Sequence, residues 1–365
     1  MNILGIETSC DETAAAIVAD GRRVRSNVIA SQIALHAAHG GVVPELAARG
    51  HVTAILPVID HALSNAGMTK HDLDVIGVTA GPGLAGALLV GMNVAKALAY
   101  AWRLPLVPVH HLEAHLYATW LTLPDDPVIS PPELPALCLL VSGGHTELIL
   151  IEDHGRYRHL GRTLDDAAGE AFDKGARLLG LGYPGGPAIQ REAAAGNSAA
   201  FDLPRAWLRD TADFSFSGLK TALLRLVDPY RLPSPPLQAT AQGPFAEHRP
   251  PRYRDDLPAA DLAASFQEAV VEVLAVKTAR IARREGVRAV LLAGGVAANT
   301  ALRERLSRQL QAVAPGIPLH VPAFALCTDN AAMIAGAAYY ALRRGEQAGW
   351  EADISPRLSL PGIDG

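Results

Sequence analysis

Ile3-Leu4-Gly5-Ile6-Glu7-Thr8-Ser9-Cys10-Asp11-Glu12-Thr13, running on through Ala14 to Val18, decides the fold. An apolar run, a turn of hydroxyls and acids, and a second apolar run read as strand, turn, strand. Alone, such a turn only reverses the chain. It gains weight because it returns. Leu137-Cys138-Leu139-Leu140-Val141, then Ser142-Gly143-Gly144-His145-Thr146, then Glu147 to Ile151, repeats strand, small-residue turn, strand. Each half also carries a later strand that ends in glycines and enters a helix. In the first half it is Val75-Ile76-Gly77-Val78-Thr79-Ala80-Gly81-Pro82-Gly83, with a helix from about Leu84. In the second it is Ala289-Val290-Leu291-Leu292-Ala293-Gly294-Gly295-Val296-Ala297-Ala298-Asn299, with a helix through Leu310.

Glycine turns at strand ends let backbone N–H groups approach phosphates, and a following helix N-terminus favours negative charge. Four such turns in two matching halves predict an α/β protein of two similar ribonuclease H-like lobes facing each other across a nucleotide cleft. That is the plan of the actin, sugar-kinase and heat-shock ATPase superfamily. The first lobe is expected over residues 1–128 plus 325–350, the second over 129–324. Pro124-Asp125-Asp126-Pro127 to Pro131-Pro132 is the expected interlobe linker, and the proline-dense run within 228–257 a surface excursion. Val321 to Ala325 reads as an extended piece that enters a last helix at Cys327-Thr328-Asp329-Asn330, a helix that crosses back to the first lobe in this superfamily. Thr328 or Asp329 as a simple helix cap is the local alternative.

A chain of 365 residues exceeds what one core covers comfortably, in keeping with two domains. Apolar content of 49% against 19% charged residues places it among globular proteins with ample core, and no apolar run has the length of a membrane span. The chain starts at once with a strand-like pattern and shows neither signal nor transit character. Three scattered cysteines, Cys10, Cys138 and Cys327, fit a reducing cytoplasm better than a disulfide frame. A net charge of −5 argues against wholesale coating of nucleic acid while permitting a local basic surface.

The chemistry concentrates in His110-His111-Leu112-Glu113-Ala114-His115-Leu116. On a helix, His111 and His115 lie one turn apart on one face, which is the helical half of a metal site. The zinc-protease motif of this spacing puts its glutamate directly after the first histidine. Here Glu113 follows two residues on, roughly 200° around the helix from His111 and off the metal face. Two readings stay open: a ligand pair without the protease base, or polar histidines on a half-buried face. His36, His39 and His51 crowd another region, where His39 is a weaker candidate for the metal.

Over nearly its whole length the chain resembles the TsaD family, the bacterial tRNA threonylcarbamoyladenosine transferases once called O-sialoglycoprotein endopeptidases. The resemblance rests on Gly5 to Thr13, Gly40-Gly41-Val42-Val43-Pro44-Glu45-Leu46-Ala47, His111 to His115, Val141 to Thr146 and Leu164 to Lys174. It continues through Tyr183-Pro184-Gly185-Gly186-Pro187, Asp213 to Thr221, Gly294 to Asn299 and Cys327 to Asn330. Where the family has an aromatic residue before the glycine pair, this chain has His39; where it has serine before the arginine, this chain has Ala48 before Arg49.

The resemblance implies transfer of the threonylcarbamoyl group from threonylcarbamoyl-AMP to N6 of the adenosine 3′ of the anticodon, in tRNAs reading codons that begin with A, with release of AMP. It places one divalent metal ion, Fe(2+) in preference to Zn(2+), on His111, His115 and Asp329. It places substrate on Val141, Ser142, Gly143, Gly144, His145, Asp173, Gly186 and Asn299, and Asp11 and Glu12 near the reacting group. The implied partners are tRNA, a TsaC-type enzyme that makes the adenylate, and the TsaB and TsaE proteins, in a bacterial cytoplasm. Local readings stand beside several of these: Asn299 as an N-cap, Asp11 and Glu12 as loop stabilisers, and Asp165, Asp166 and Glu170 as caps or a polar face. Lys220 is a candidate phosphate contact. Arg280, Arg283, Arg284, Arg288, Arg303, Arg305 and Arg308 are candidates for a tRNA-facing surface or a solvated helix face. A non-catalytic nucleotide-binding scaffold, a metalloprotease and a kinase of the same fold are the competing functions.

Overall fold

The computed structural model describes residues 1–39, 41–127, 130–209, 211–233, 250–349 and 351–360. Gly40 of the glycine pair, the middle of the expected linker at 128–129, the proline-dense stretch 234–249 and the expected lobe end at 350 lie outside the described residues.

The first sheet contains β1 (Asn2–Glu7), β2 (Glu12–Ala19), β3 (Arg23–Ser31), β4 (Val75–Gly81) and β5 (Leu106–His110), in the order β3-β2-β1-β4-β5. The pairs β1–β2 and β2–β3 are antiparallel, whereas β1–β4 and β4–β5 are parallel. The connections supply α1 (Ile33–Ala37), α2 (Pro44–Ala66) and α3 (Ala85–Trp102), and α4 (His111–Tyr117) follows β5 without a gap. The second sheet contains β6 (Ala136–Val141), β7 (Thr146–Asp153), β8 (Arg156–Arg162), β9 (Ala289–Ala293) and β10 (Leu319–His320), ordered β10-β9-β6-β7-β8. Numbered within its own half, each sheet has the order 3-2-1-4-5 with the same strand directions. Helices α5 (Ala168–Leu179), α6 (Gly185–Ala193), α7 (Ser217–Val227) and α8 (Ala259–Glu285) stand between β8 and β9. Helix α9 (Thr300–Val313) links β9 to β10, and α10 (Ala331–Arg343) follows.

Alternation along the strands sorts the cores. In β6, Leu137, Leu139 and Val141 join α5, α8 and α9 on the outer side, while Ala136, Cys138 and Leu140 face inward. In β1, Leu4 and Ile6 pack outward with α2 and α3, and Ile3 faces inward. The inner faces of both sheets share one core with α4 and α10, which lie between them. Both central strands are apolar on both faces, as strands covered on either side must be.

The two inner helices exchange lobes. Helix α4 leaves the first sheet and packs on β6 and β9, whereas α10 leaves the second sheet and packs on β1, β2 and β4. Glycine permits the closer of these approaches. Gly5 and Gly77 are partners in the β1–β4 register. A Cβ on Gly5 would overlap the Ala331 carbonyl, and one on Gly77 would stand 2.7 Å from Ala338 Cβ. One helix departs from expectation: α3 is long and apolar enough by composition to cross a membrane. Its Met92, Ala95 and Ala99 are instead packed into the outer core of the first sheet.

Candidate functional site

The reciprocal crossing brings the N-termini of α4 and α10 together at the carboxyl ends of the parallel strands, where α/β sheets bind ligands. His110 begins α4: its Nδ1 accepts hydrogen bonds from Leu112 N–H (3.1 Å) and Glu113 N–H (3.4 Å), while Nε2–H donates to the Leu358 carbonyl (3.1 Å). Asn330 begins α10, accepting from Met333 N–H at 3.0 Å and donating to the carbonyls of Thr328 and Leu326. This corrects the reading of Thr328 or Asp329 as the cap. With Asn330 in that role, the Asp329 carboxylate is free to face the cleft.

Asp329 Oδ1 lies 3.2 Å from His115 Nε2 and 3.6 Å from His111 Nε2. Ligand atoms on a common ion with bonds of about 2.0–2.2 Å stand roughly 3.0–3.4 Å apart. The His115–Asp329 pair fits that spacing and the His111–Asp329 pair is slightly wider; the three ligand atoms all lie within 4.8 Å of one another, and among the described residues they are the group that could hold an ion. His39 does not belong to it.

The donor inventory points the same way. His111 Nδ1 is 3.0 Å from Glu7 Oε2, and a carboxylate only accepts, so Nδ1 carries a proton and Nε2 is the nitrogen turned toward Asp329. Glu7 is fully buried and also accepts from Thr79 Oγ1–H (2.7 Å) and from Ser9 N–H. A buried carboxylate behind a histidine ring is the arrangement that orients metal-binding imidazoles. Two ring nitrogens and a carboxylate oxygen converging on one point call for a cation or for protons on the rings. Burial opposes a proton on His111, but Glu7 and Asp329 outweigh it and hold the imidazole at about 9. Burial would raise Asp329, yet His111 and His115 hold it near about 2.

Glu113, the acid that a protease reading would need, points elsewhere. Its carboxylate accepts from Tyr157 O–H at 2.6 Å and from Arg344 at 3.1 Å, on the side of α4 that faces the second sheet. It braces α4 from the side away from His111, His115 and Asp329.

Asp11 and Glu12 sit in the β1–β2 turn. Burial and the Asp11 and Asp329 carboxylates push Glu12 up to about 9. Ser31 Oγ–H donates to it at 3.0 Å. In the matching β6–β7 turn, Ser142 Oγ accepts from His145 N–H at 3.1 Å, and a Cβ at Gly143 or Gly144 would meet no atom within 4 Å. His145 faces the triad. Burial lowers its pKa, Glu147 opposes this, and His111 and His115 add to the lowering. The Val141 side chain is wholly inside the second-lobe core, so only its backbone borders the turn. Asp173 accepts from Gly185 N–H at 2.7 Å, and Gly186 is open like Gly143. Asn299 is nearly buried and caps α9: its Oδ1 accepts from Leu302 N–H (3.0 Å), and its Nδ2 donates to Gln267 (2.9 Å).

The other polar candidates resolve locally. Asp165 receives Ser215 and Ser217 hydroxyls at 2.6 Å and the Phe216 N–H at 2.8 Å, which fixes the start of α7. Asp166 and Glu170 both pair with Lys174. Arg305 is held by Glu268 and Glu272, and Arg284 by Glu285, which removes them from a free basic face. Sequence reasoning passed over Glu7, although an acid ending a buried strand was its signal. It also gave no role to His51, which bonds to both sides of the Asp11–Glu12 turn, nor to Tyr183. Burial raises the Tyr183 hydroxyl, and the Asp11 and Asp173 carboxylates raise it further.

Fold and site define an actin-like two-lobed protein in which two histidines and an aspartate that could hold an ion lie near glycine turns. Component A of the (R)-2-hydroxyglutaryl-CoA dehydratase of Acidaminococcus fermentans shares the fold at a TM-score of 0.51 and 17% identity, over 94% of this chain and 98% of that one. A sequence model of the tRNA N6-adenosine threonylcarbamoyltransferase family, TsaD, matches residues 23–336, and the chain belongs to that family. A relative of that name from Thermomicrobium roseum is 61% identical over 99% of this chain and 97% of its own length. One from Bacillus subtilis is 50% identical over 99% and 96%.

Proposed function

We propose that the chain transfers the threonylcarbamoyl group from threonylcarbamoyl-AMP to N6 of the adenosine 3′ of the anticodon, in tRNAs reading codons that begin with A, and releases AMP. The observation that carries this reading is the convergence of His111, His115 and Asp329 beside glycine turns from both lobes. In it, those three side chains hold one divalent ion, Fe(2+) ahead of Zn(2+) by the family resemblance, although imidazole and carboxylate suit either. When bound, the ion supplies positive charge to an anionic phosphate or carboxylate of the donor.

Every other step falls to the chain. Glu7 fixes the ring of His111. Bare backbone at Gly143, Gly144 and Gly186 lets the adenylate approach closely, with Ser142, His145, Val141 N–H and C=O, Asp173 and Asn299 around it. The donor is already an activated mixed anhydride, so positioning and charge stabilisation dominate. The N6 lone pair attacks the carbamoyl carbon, the bond from that carbon to the phosphate oxygen breaks, and AMP leaves. The N6 proton passes to Asp11 or to a water that the Asp11–Glu12 turn orders. Burial and the neighbouring carboxylates push Glu12 up to about 9, so Glu12 enters the step protonated near neutrality. An anticodon loop is single-stranded, so its base can enter the cleft without melting a duplex.

The lobes are taken as 1–128 plus 325–350 and 129–324, with α4 crossing between them. A TsaC-type enzyme supplies the adenylate, TsaB and TsaE assist, and the setting is the cytoplasm, where tRNA is. The test is incubation of the protein with these partners, tRNA, threonine, bicarbonate and ATP, followed by nucleoside analysis. Threonylcarbamoyladenosine is expected, and its absence with all components active refutes the proposal.

A further inference from the structure

Phe324 carries an exposed ring on the segment between β10 and Asp329, and no role described so far uses it. It lies in a short 3-10 turn, Phe324–Leu326, five residues before Asp329. The side chain is 57% exposed, an uncommon state for phenylalanine. One face is covered, since the Arg303 guanidinium stacks 3.9 Å from the ring centroid. The exposed area is therefore the opposite face and its edge.

The backing is rigid. Arg303 donates to the Ala297 carbonyl at 2.6 Å, the Pro322 carbonyl at 3.2 Å and Cys327 Sγ at 3.1 Å. It thereby ties the Gly294–Asn299 turn to the segment that leads into Asp329. Among the described residues no carboxylate lies within ion-pair distance of it, unlike Arg305 on the same helix. The surface runs on toward the reaction centre: Ala325 and Thr328 are exposed, and Thr328 Cγ2 is 4.0 Å from where Gly295 would carry a Cβ.

We infer that Phe324, backed by Arg303, is a stacking platform for an unstacked base of the tRNA loop, a neighbour of the adenosine being modified. Single-stranded RNA is held by bases laid on aromatic and guanidinium planes, beside positive charge. The distance suits this. Five residues span at most ~17 Å, so a base on Phe324 and the target adenosine can belong to one loop. This rests on the transferase reading above.

The test measures binding of an unmodified anticodon stem-loop to the protein reconstituted with its partner proteins, at several salt concentrations. Phe324→Ala is expected to weaken RNA binding about 5- to 100-fold, and Phe324→Trp to retain it. The slope of affinity against salt should be unchanged in Phe324→Ala, because no phosphate contact is lost. Adenine-nucleotide affinity and metal content should match the unsubstituted protein, which excludes misfolding. Wild-type RNA affinity in Phe324→Ala, or equal loss in Phe324→Trp, overturns the inference. Loss of partner-protein binding with intact RNA binding overturns it too and assigns the ring to a protein interface. Failure of the unsubstituted protein to bind the stem-loop overturns the transferase reading, and this inference with it.

Discussion

Gly5→Ala tests whether the crossing of α10 over the first sheet sets the geometry of the ion site. A Cβ at Gly5 would overlap the Ala331 carbonyl and stand 2.8 Å from Ala335 N, both backbone atoms of α10. Ordinary contact begins near 3.4 Å, so the helix has to retreat by roughly 0.6 Å or more. Asp329 lies two residues before Ala331, so the retreat carries it away from His111 and His115. Ligand distances tolerate only about 0.2 Å, and ion affinity is expected to fall on the order of 10–100-fold. Gly77→Ala is the control. It disturbs the same helix two turns on, with a Cβ 2.7 Å from the Ala338 methyl group. Both variants should lose about 1–3 kcal/mol of stability to overpacking, but only Gly5→Ala should lose the ion. Thermal denaturation and a chelator competition on the same preparations separate the two. Equal ion affinity in both variants would refute the reasoning.

Other substitutions probe the parts singly. Glu7→Gln replaces the acceptor behind His111 without touching a ligand, and a chelator titration should find ion affinity about 10–100-fold weaker. Glu113→Gln should cost about 1–3 kcal/mol in chemical denaturation, because Arg344 loses a buried partner but keeps Glu346. A metalloprotease would instead lose a peptidase activity through Glu113, and none is expected of the native protein. His51 accepts the Thr13 hydroxyl at Nδ1 (2.8 Å) and donates from Nε2 to the Cys10 carbonyl (3.0 Å), and burial lowers its pKa from 6.5. The unfolded chain then binds more protons below pH 6.5, so this contribution is present above that value and lost as pH falls further. Its slope is at most about 1.4 kcal/mol per pH unit. His51→Gln should flatten that acid limb in denaturation curves, and an unchanged limb would exclude His51 as its source.

Much of this was legible in the sequence because the two halves obey one pattern. The strand–turn–strand units at Ile3 and Leu137, and the glycine turns at Gly81 and Gly294, announce the duplicated sheets. The spacing of His111 and His115 fixes their shared face, and the angular position of Glu113 excludes it from the ion; both follow from helix geometry. What spacing could not give was anything set by tertiary contact. Asn330 rather than Thr328 or Asp329 caps α10, and the choice depends on where the chain enters the helix. Glu7 meets His111 across 104 residues, a partner invisible to local pattern. The arginines of α8 and α9 looked alike in sequence. Acids on α8 neutralise Arg305, while Arg303 stacks on Phe324, and only the packing of these helices distinguishes them.

The central claim is most directly tested by the anomalous-scattering map of a crystal grown with the divalent ion and a non-hydrolysable threonylcarbamoyl adenylate analogue. The account expects one ion peak about 2.0–2.2 Å from His111 Nε2, His115 and Asp329, with the adenylate against the Gly143–Gly144 turn. An ion bound elsewhere, or an adenylate outside the cleft between the lobes, would contradict it.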